Sequence, residues 1–354
     1  MKTAFQVFSL LVIFVMGACG STLLPTTPEP APAKTTVAVP GPESTPPANP
    51  TIALVPTPDG PVAVPADLRI VYLRGGNLWS WAEAEDKKQL TDSGDISTVR
   101  LSNDGRMLAF LRGREVWVTH MDGTNAQMLA TLDVEGADFW FAPGGSLLAV
   151  SAADHIEVID LGQAISTTVV NYPPIPSEYY PQIVWSPDGL GFKTVIPPQR
   201  ETGQAEFLFV FTSGTVASLA KFMMVPLTES LPIISPDGGY VIYVAKMSAG
   251  KEALYLMDSS GATRPYSEVA EHVHTFGWLP DSKHFIYGVE PSPRAFLGEI
   301  GGSPMEIQFS FVTKVRWIDM EHMLTLENGD LRLGDFDGGS LLIDSYVQEF
   351  DFVP

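Results

Sequence analysis

The sequence predicts an all-β protein, a β-propeller of seven four-stranded blades closed by its C-terminal strand. The first reason is a repeated turn, seen as VRLSNDG, IVWSPDG and PIISPDG, which end at Gly105, Gly189 and Gly238. Weaker copies read DFWFAPGG, FGWLPDS and VRWIDME. Successive copies lie 40, 44, 49, 44 and 39 residues apart, which is the period of a propeller blade with four strands.

The second reason is the set of short apolar runs that follow each turn. Runs such as MLAFL, LLAVS and YVIYV come first, and runs such as VWVTH, IEVID and ALYLMD come next. They are rich in Val, Ile, Tyr and Phe and are bounded by Gly, Asp and Pro, as strands are. Several are apolar at nearly every position, which predicts sheets packed on both faces.

The third reason lies at the two ends of the repeat region. Residues 69–90 match strands two, three and four of a blade and lack strand one. The last residues, VQEFDFVP, match strand one and then stop. We therefore expect the C-terminal strand to complete the first blade, which removes most of the open sheet edge that the ring would otherwise expose.

The Ser-Pro-Asp-Gly turn has a conformational explanation. Proline fixes φ at the first corner, aspartate hydrogen-bonds nearby backbone, and glycine accepts a positive φ. The turn aspartates Asp104, Asp188, Asp237 and Asp281 are therefore interpreted as structural, not catalytic.

Residues 1–19 read as a signal peptide that ends at Cys19, the only cysteine in the chain. Small residues Gly17 and Ala18 precede that cysteine, an arrangement that resembles the lipobox of bacterial lipoproteins. The resemblance implies a diacylglycerol on the Cys19 thiol and an anchor in a membrane, although Met16 stands where the family usually has Leu. Ordinary secretory cleavage beside an incidental cysteine is the alternative.

A stalk is predicted over residues 20–66, which hold nearly half of the chain's 30 prolines together with many threonines. Because each proline fixes φ and lacks an N–H, neither helix nor sheet propagates here, and the segment is expected to be disordered. The propeller then occupies residues 67–354. The chain is expected to be extracytoplasmic and lipid-anchored to the cell membrane or the outer membrane of a bacterium, with the choice of membrane left open.

Over residues 68–354 the SPDG turns and the strand ALYLMD resemble the TolB-type, WD-related propeller repeats of bacterial envelope proteins. The chain departs from TolB itself in lacking an N-terminal α/β domain and in having seven predicted blades, not six. The resemblance implies a platform for protein interactions. It supplies no residue-level site.

Composition and motifs argue against several function classes. A net charge of −20 disfavours nucleic acid, whose phosphates need clustered Lys and Arg. The chain has no G-x-S-x-G element, so no enzyme activity and no cofactor are predicted. His272, His274 and His284 are close in sequence, but histidines at such spacings are often found by chance, so no metal site is predicted.

Three consecutive loops are long, and all three should emerge on one face of the ring. They span residues 171–181, 197–205 and 225–232. Tyr172, Tyr179, Tyr180 and Arg200 on these loops are the predicted partner-binding residues, because tyrosine and arginine offer amphipathic contact area and a fork of donors. Packing of the tyrosines on their own loops is the alternative.

The sequence thus predicts a monomeric protein-interaction or assembly module with an unknown protein or glycan partner. Carbohydrate or cell-wall binding by a lectin-like propeller is the alternative, and an enzyme of unrecognised type is less favoured.

Overall fold

The computed structural model describes residues 52–53, 62–175, 179–198, 203–225, 230–291, 294–308, 314–335 and 338–354. Cys19 with the whole predicted signal peptide, most of the predicted stalk, and Arg200 lie outside the described residues, so the predictions made for them stay predictions. Within the described residues, no helix has the length and apolar character needed to cross a membrane.

Seven antiparallel sheets of four strands follow one another along the chain, as predicted. Strands are numbered in chain order, and β1 (Ile52–Ala53) precedes the propeller. Blade 1 contains β2 (Arg69–Arg74), β3 (Asn77–Ala82) and β4 (Glu85–Gln89). Blade 2 contains β5 (Ile96–Leu101), β6 (Met107–Arg112), β7 (Glu115–His120) and β8 (Gln127–Thr131). Blade 3 contains β9 (Ala137–Phe141), β10 (Leu147–Ala152), β11 (His155–Asp160) and β12 (Ile165–Asn171).

The next two blades have shorter first strands. Blade 4 contains β13 (Val184–Trp185), β14 (Gly191–Ile196), β15 (Ala205–Phe211) and β16 (Val216–Phe222). Blade 5 contains β17 (Ile233–Ile234), β18 (Tyr240–Lys246), β19 (Glu252–Asp258) and β20 (Thr263–Pro265). A single 3₁₀ turn at Ser248–Gly250 joins β18 to β19.

The last two blades complete the series. Blade 6 contains β21 (His272–Trp278), β22 (His284–Glu290), β23 (Arg294–Glu299) and β24 (Met305–Gln308), and β1 pairs in parallel with β24. Blade 7 contains β25 (Lys314–Trp317), β26 (His322–Glu327), β27 (Asp330–Asp335) and β28 (Ser340–Asp344). The final strand is β29 (Val347–Val353).

The predicted closure is confirmed by the position of β29. This strand pairs antiparallel with β2, with Arg69 opposite Val353 and Tyr72 opposite Phe350. Blade 1 is therefore built from both ends of the propeller sequence. The ring is closed by backbone hydrogen bonds between segments that are more than 270 residues apart in sequence.

Apolar side chains between neighbouring blades form the core. The described residues contain seven buried clusters, one at each interface between blades. The cluster between blades 7 and 1 joins Leu331 and Leu333 to Ile70 and Phe350, so the closing interface is packed like the others. Burial of this apolar surface is the main favourable term in holding the blades together.

The Ser-x-Asp turns behave as predicted. Ser102 Oγ donates to Asp104 Oδ1 at 2.7 Å, and Ser186 Oγ donates to Asp188 Oδ1 at 2.6 Å. These hydrogen bonds lower the pKa of both aspartates. In blade 6 the turn uses a different partner, because Asp281 Oδ2 lies 2.6 Å from Nδ1 of His284. The described contacts of these carboxylates are those of a turn.

Two faces of the ring are distinguished by their connections. The loop face carries the connections from strand two to strand three and from strand four to the next blade, among them the described ends of the three long loops. The turn face carries the Ser-x-Asp turns between strands one and two. Antiparallel order within every blade separates these two groups of connections.

Candidate functional site

Residues in or beside the first strands of blades 1 to 5 and of blade 7 line a central cavity of about 1050 Å³. Near the loop face its lining includes Gly136, Tyr180, Leu231 and Gln348, which lie in or beside strand-four-to-next-blade connections. The cavity therefore reaches the face that carries the long loops, and Asn103 in the first turn of blade 2 lines it toward the turn face. Its volume is at the upper end of the range for small-molecule and cofactor pockets.

Six charged side chains occupy one side of this cavity, which we call the charged wall. They are Lys314 and Arg316 on blade 7, Glu349 and Asp351 on blade 1, Arg100 on blade 2 and Asp138 on blade 3. Alternate residues of a strand point to the same face, so the paired members of β25 and β29 project together into the cavity. The sign of the charge alternates from each blade to the next.

Arg100 links three blades across the charged wall. Its Nη2 donates to Asp138 Oδ2 at 2.6 Å, and its Nη1 donates to Glu349 Oε1 at 3.0 Å. Lys314 donates to the same oxygen of Glu349. The carboxylate of Glu349 therefore bridges cations on blades 2 and 7.

Asp351 makes the second bridge. Its Oδ2 accepts the backbone N–H of Leu101 at 2.7 Å, and its Oδ1 accepts a hydrogen bond from Arg316. The residue is 4% exposed. A carboxylate this buried requires partners, and here it obtains one from the blade on each side.

The pKa values of the wall reflect burial and mutual charge. Burial lowers the pKa of Arg100, but the charges of Asp138, Glu349 and Asp351 outweigh it, so the net shift is upward. Burial raises the pKa of Glu349, yet Arg100 and Lys314 hold that pKa below its ordinary value. Both groups are therefore charged at neutral pH.

The opposite side of the cavity is uncharged, and we call it the neutral wall. It is formed by Trp140, Gln182, Leu231, Pro232 and Ile233. Gln182 holds blades 4 and 5 together, since its Oε1 accepts the backbone N–H of Ile234 at 2.9 Å. One cavity thus has a charged side and a mainly apolar side.

Tryptophans tie blades together near the turn face. Trp185 Nε1 donates to the carbonyl of Trp140 at 2.9 Å, and Trp278 Nε1 donates to the carbonyl of Ile233 at 3.0 Å. Each tryptophan is the last residue of the first strand of its blade, and each donates a hydrogen bond to the blade before it. They line a second cavity of about 460 Å³ that shares Trp140 and Ile233 with the first.

Two of the predicted site residues are buried. Tyr172 is 8% exposed, and its hydroxyl lies 2.7 Å from the carbonyl oxygen of Ala152 and 3.0 Å from that of His155. Tyr179 is 9% exposed and packs in the cluster between blades 3 and 4. Burial raises the pKa of both phenols. Both tyrosines therefore pack into the cluster between blades 3 and 4, and the contacts given for the Tyr172 hydroxyl are with blade 3.

Tyr180 is the predicted residue that lies at the cavity mouth. A Cβ placed on Gly136 would come within 1.9 Å of its hydroxyl oxygen, and Gly136 has φ of +78°. Glycine at 136 therefore makes space for the tyrosine between two loops. Tyr179 and Tyr180 both line the cavity, whereas Tyr172 is not among its lining residues.

Sequence reasoning missed the charged wall and Tyr346. Tyr346 lies in the β28–β29 connection on the loop face, is 80% exposed, and has φ of +62°. The charged wall did leave a signal in the sequence, because KVRW and QEFD place charges inside first strands that are otherwise apolar. Charges at such positions indicate a side chain that faces a channel.

The histidines considered for a metal site lie near carboxylates of their own or a neighbouring blade. His272 Nδ1 lies 3.7 Å from Glu252, and His274 Nε2 lies 3.3 Å from Glu290. Across the part of the chain that the structure describes, no group of three or more His, Cys, Asp or Glu side chains is arranged to hold a metal ion.

Comparison with known proteins gives similarity of fold. No family model and no curated protein matches the sequence. Dipeptidyl peptidase 4 from Porphyromonas gingivalis matches 77% of this chain with a TM-score of 0.52 and 12% identity, and the match covers 48% of that chain. The tricorn protease matches 78% of this chain with a TM-score of 0.51 and 12% identity, covering 34% of that chain.

TolB from Acinetobacter baumannii is also among the similar structures, with a TM-score of 0.47, 15% identity, and coverage of 81% of this chain and 66% of that one. The chain spans about half the length of the dipeptidyl peptidase and about a third of the tricorn protease. At such identities the two peptidase structures support the fold alone.

Proposed function

We propose that this chain is a binding protein whose propeller holds a short extended segment of a partner protein in the central cavity. The observation that carries the proposal is a cavity of about 1050 Å³ that reaches the loop face, with a charged wall opposite a neutral wall. A peptide presents both apolar side chains and charged or polar groups. These two walls match that mixture.

Each wall has a distinct role in the proposal. Apolar side chains of the segment gain free energy when Trp140, Leu231 and Ile233 remove them from water. The charged wall orients the segment, because charged groups discriminate against wrong partners and fix register. Exposed Tyr346 and Leu231 on the loop face extend the contact area around the mouth.

A protein segment is preferred to a glycan for a specific reason. Glycan binding by the long loops would need exposed tyrosine faces on which sugar rings can stack, and Tyr172 and Tyr179 are buried. A non-enzymatic role is preferred because the described carboxylates of the charged wall are engaged with cations of neighbouring blades.

The cellular setting is part of the same proposal. Lipid on Cys19 would hold the protein at the extracytoplasmic surface of a bacterial membrane, and the residues between Cys19 and β1 would space the propeller from it. Cys19→Ala should release the protein from the membrane fraction. Membrane association of that variant equal to wild type would remove the anchor from the proposal.

The binding proposal is tested by selecting a displayed random-peptide library on the purified protein. Ser97→Trp blocks the cavity from an exposed position in its lining, and Ser218→Trp places the same side chain on the exposed strand β16 as a control. We expect wild type and the control to enrich a shared set of peptides that the Ser97→Trp variant fails to bind. Equal binding to all three proteins, no enrichment on wild type, or binding only to a parallel glycan array would contradict the proposal.

A further inference from the structure

The side chains of Lys314 and Arg316 on blade 7 carry more hydrogen-bond donors than the neighbouring carboxylates accept. Among the described residues, the side chain of Lys314 makes one hydrogen bond, to Glu349, and that of Arg316 makes one, to Asp351. An ammonium group carries three N–H donors and a guanidinium carries five. Two donors of Lys314 and four of Arg316 therefore remain for other partners.

The nearby carboxylates are already shared with other donors. Glu349 Oε1, which accepts from Lys314, also accepts from Arg100, and Asp351 divides its two oxygens between Arg316 and the N–H of Leu101. Both acids lie on blade 1, on one side of the cations. The side of Lys314 and Arg316 that faces the cavity is therefore rich in donors.

The electrostatics of Lys314 agree with this geometry. Burial lowers its pKa, and the positive charges of Arg100 and Arg316 lower it further, so that the opposing effect of Glu349 is outweighed. Burial is the largest of these effects, because it penalises the charged form of the ammonium group. An anion bound beside Lys314 would favour the charged form and raise its pKa.

The two cations are also held in position. Lys314 Nζ lies 5.4 Å from the ring centroid of Phe350, and Arg316 Cζ lies 5.0 Å from that of Phe352. Aromatic faces at these distances attract cations and restrict where they lie. Side chains that are fixed before binding lose less entropy when a ligand arrives.

We propose that Lys314 and Arg316 form a carboxylate-binding site in the cavity, which takes a terminal or side-chain carboxylate of the bound segment. The inference rests on the proposed function, since it assigns the chemistry of the same cavity's ligand. Arginine presents a planar fork that matches a carboxylate, and lysine adds a second charged donor.

The ligand used as a probe is acetate. The lysines of the protein are labelled with ¹³C-methyl groups, which keep their charge, and the NMR signal of Lys314 is followed as the pH is changed. The Lys314 signal is assigned by its loss in Lys314→Arg. We expect the titration midpoint of Lys314 to be higher in sodium acetate than in sodium chloride at equal ionic strength. Lys88, which is exposed and donates to the carbonyl of Asp122, serves as the internal control.

The same titration of Arg316→Gln should show a smaller response to acetate, and Arg316→Lys replaces it if the first variant does not fold. A Lys314 midpoint equal in acetate and chloride, or a change matched by Lys88, would overturn the inference.

Peptides separate this inference from the proposed function. A peptide selected on the wild-type protein is compared with its C-terminal amide and with a version whose Asp and Glu are Asn and Gln. We expect one of the two changes to weaken binding roughly tenfold or more, as loss of a charge-assisted hydrogen bond does. Unchanged affinity after both changes together contradicts the carboxylate site and leaves cavity binding intact. If no peptide binds wild type, the proposed function fails, and the acetate titration alone decides the carboxylate site.

Discussion

The carboxylate of Asp351 accepts the backbone N–H of Leu101 at 2.7 Å, which joins the last strand of the chain to the first strand of blade 2. The same carboxylate is bound by Arg316 of blade 7 on its other side. The C-terminal strand is therefore fixed to both neighbouring blades by side chains in addition to its pairing with β2. Closure of the ring and the charge pattern of the cavity depend on the same residues.

Asp351→Ala should destabilise the protein because it removes both bridges. The Leu101 N–H loses its partner in a buried position, which costs roughly 1–3 kcal/mol of unfolding free energy. Asp95→Ala is the matched control, since Asp95 pairs with Arg112 at the surface at 2.8 Å and exposed ion pairs contribute little to stability. Urea denaturation measures both. Equal losses in the two variants would show that the wall carboxylate is not needed for closure.

Acid should weaken the interface between blades 7 and 1 through Asp344. This residue ends β28 and accepts hydrogen bonds from Tyr72 at 2.9 Å and from Lys87 at 3.0 Å, both on blade 1. Burial raises its pKa, but the hydrogen bonds from Lys87 and Tyr72 outweigh burial and hold the pKa below its ordinary value. A carboxyl with a lowered pKa in the folded state stabilises that state once the pH is above its unfolded pKa.

The stabilisation from Asp344 is therefore complete above the unfolded pKa of about 3.9 and is lost as the pH falls through the lower folded value. Asp344→Asn should lower the unfolding free energy by roughly 1–3 kcal/mol at pH 7. The difference between wild type and this variant should shrink below about pH 4. Thermal unfolding from pH 7 to pH 3 tests this, and a difference that stays constant over that range would contradict it.

The inter-blade tryptophans should be energetically equivalent. Trp185→Phe and Trp278→Phe each remove one hydrogen bond to a carbonyl of the preceding blade, at a cost of about 1 kcal/mol. Trp117→Phe is the control, because its indole bonds to Glu115 within the same strand. Chemical denaturation should show similar losses at 185 and 278 and a smaller loss at 117. If Trp117→Phe lost as much unfolding free energy as the other two variants, the loss would come from the smaller volume of the ring and not from the inter-blade hydrogen bond.

Tyr346 should contribute more to binding than to stability. A non-glycine residue in the left-handed region costs roughly 1–2 kcal/mol, and the exposed ring of Tyr346 recovers little of this by burial. Tyr346→Gly should leave the unfolding free energy unchanged or raise it by up to about 1 kcal/mol, while weakening the binding of selected peptides. Destabilisation by more than 1 kcal/mol with unaltered binding would contradict a contact role.

The fold could be predicted because its signals are local. The turn at Asp188 and the succession of apolar runs can be recognised from residues that are neighbours in the sequence. The strand that is missing at the start of the repeat region matches the extra strand at its end. Closure by β29 followed from that match.

The candidate site could be predicted only in part. The charged wall joins Arg100 to Asp138 and Glu349, which lie on three different blades, so their contacts depend on the order of blades around the ring. Loop length pointed to Tyr172 as a contact residue, but it could not show that this side chain turns inward. The left-handed backbone conformation of Tyr346 could not be predicted from residue preferences, because tyrosine rarely adopts that conformation.

Photo-crosslinking in cells that produce the protein is the most direct test of cavity binding. Benzoylphenylalanine replaces Ser97 in the cavity lining, and in a second protein it replaces Ser218 on the outer strand of blade 4. Binding in the cavity should give one discrete adduct from position 97, mapped by mass spectrometry to a short segment of a single partner protein, and no such adduct from position 218. Failure of position 97 to crosslink, or the same adducts from both positions, would contradict it.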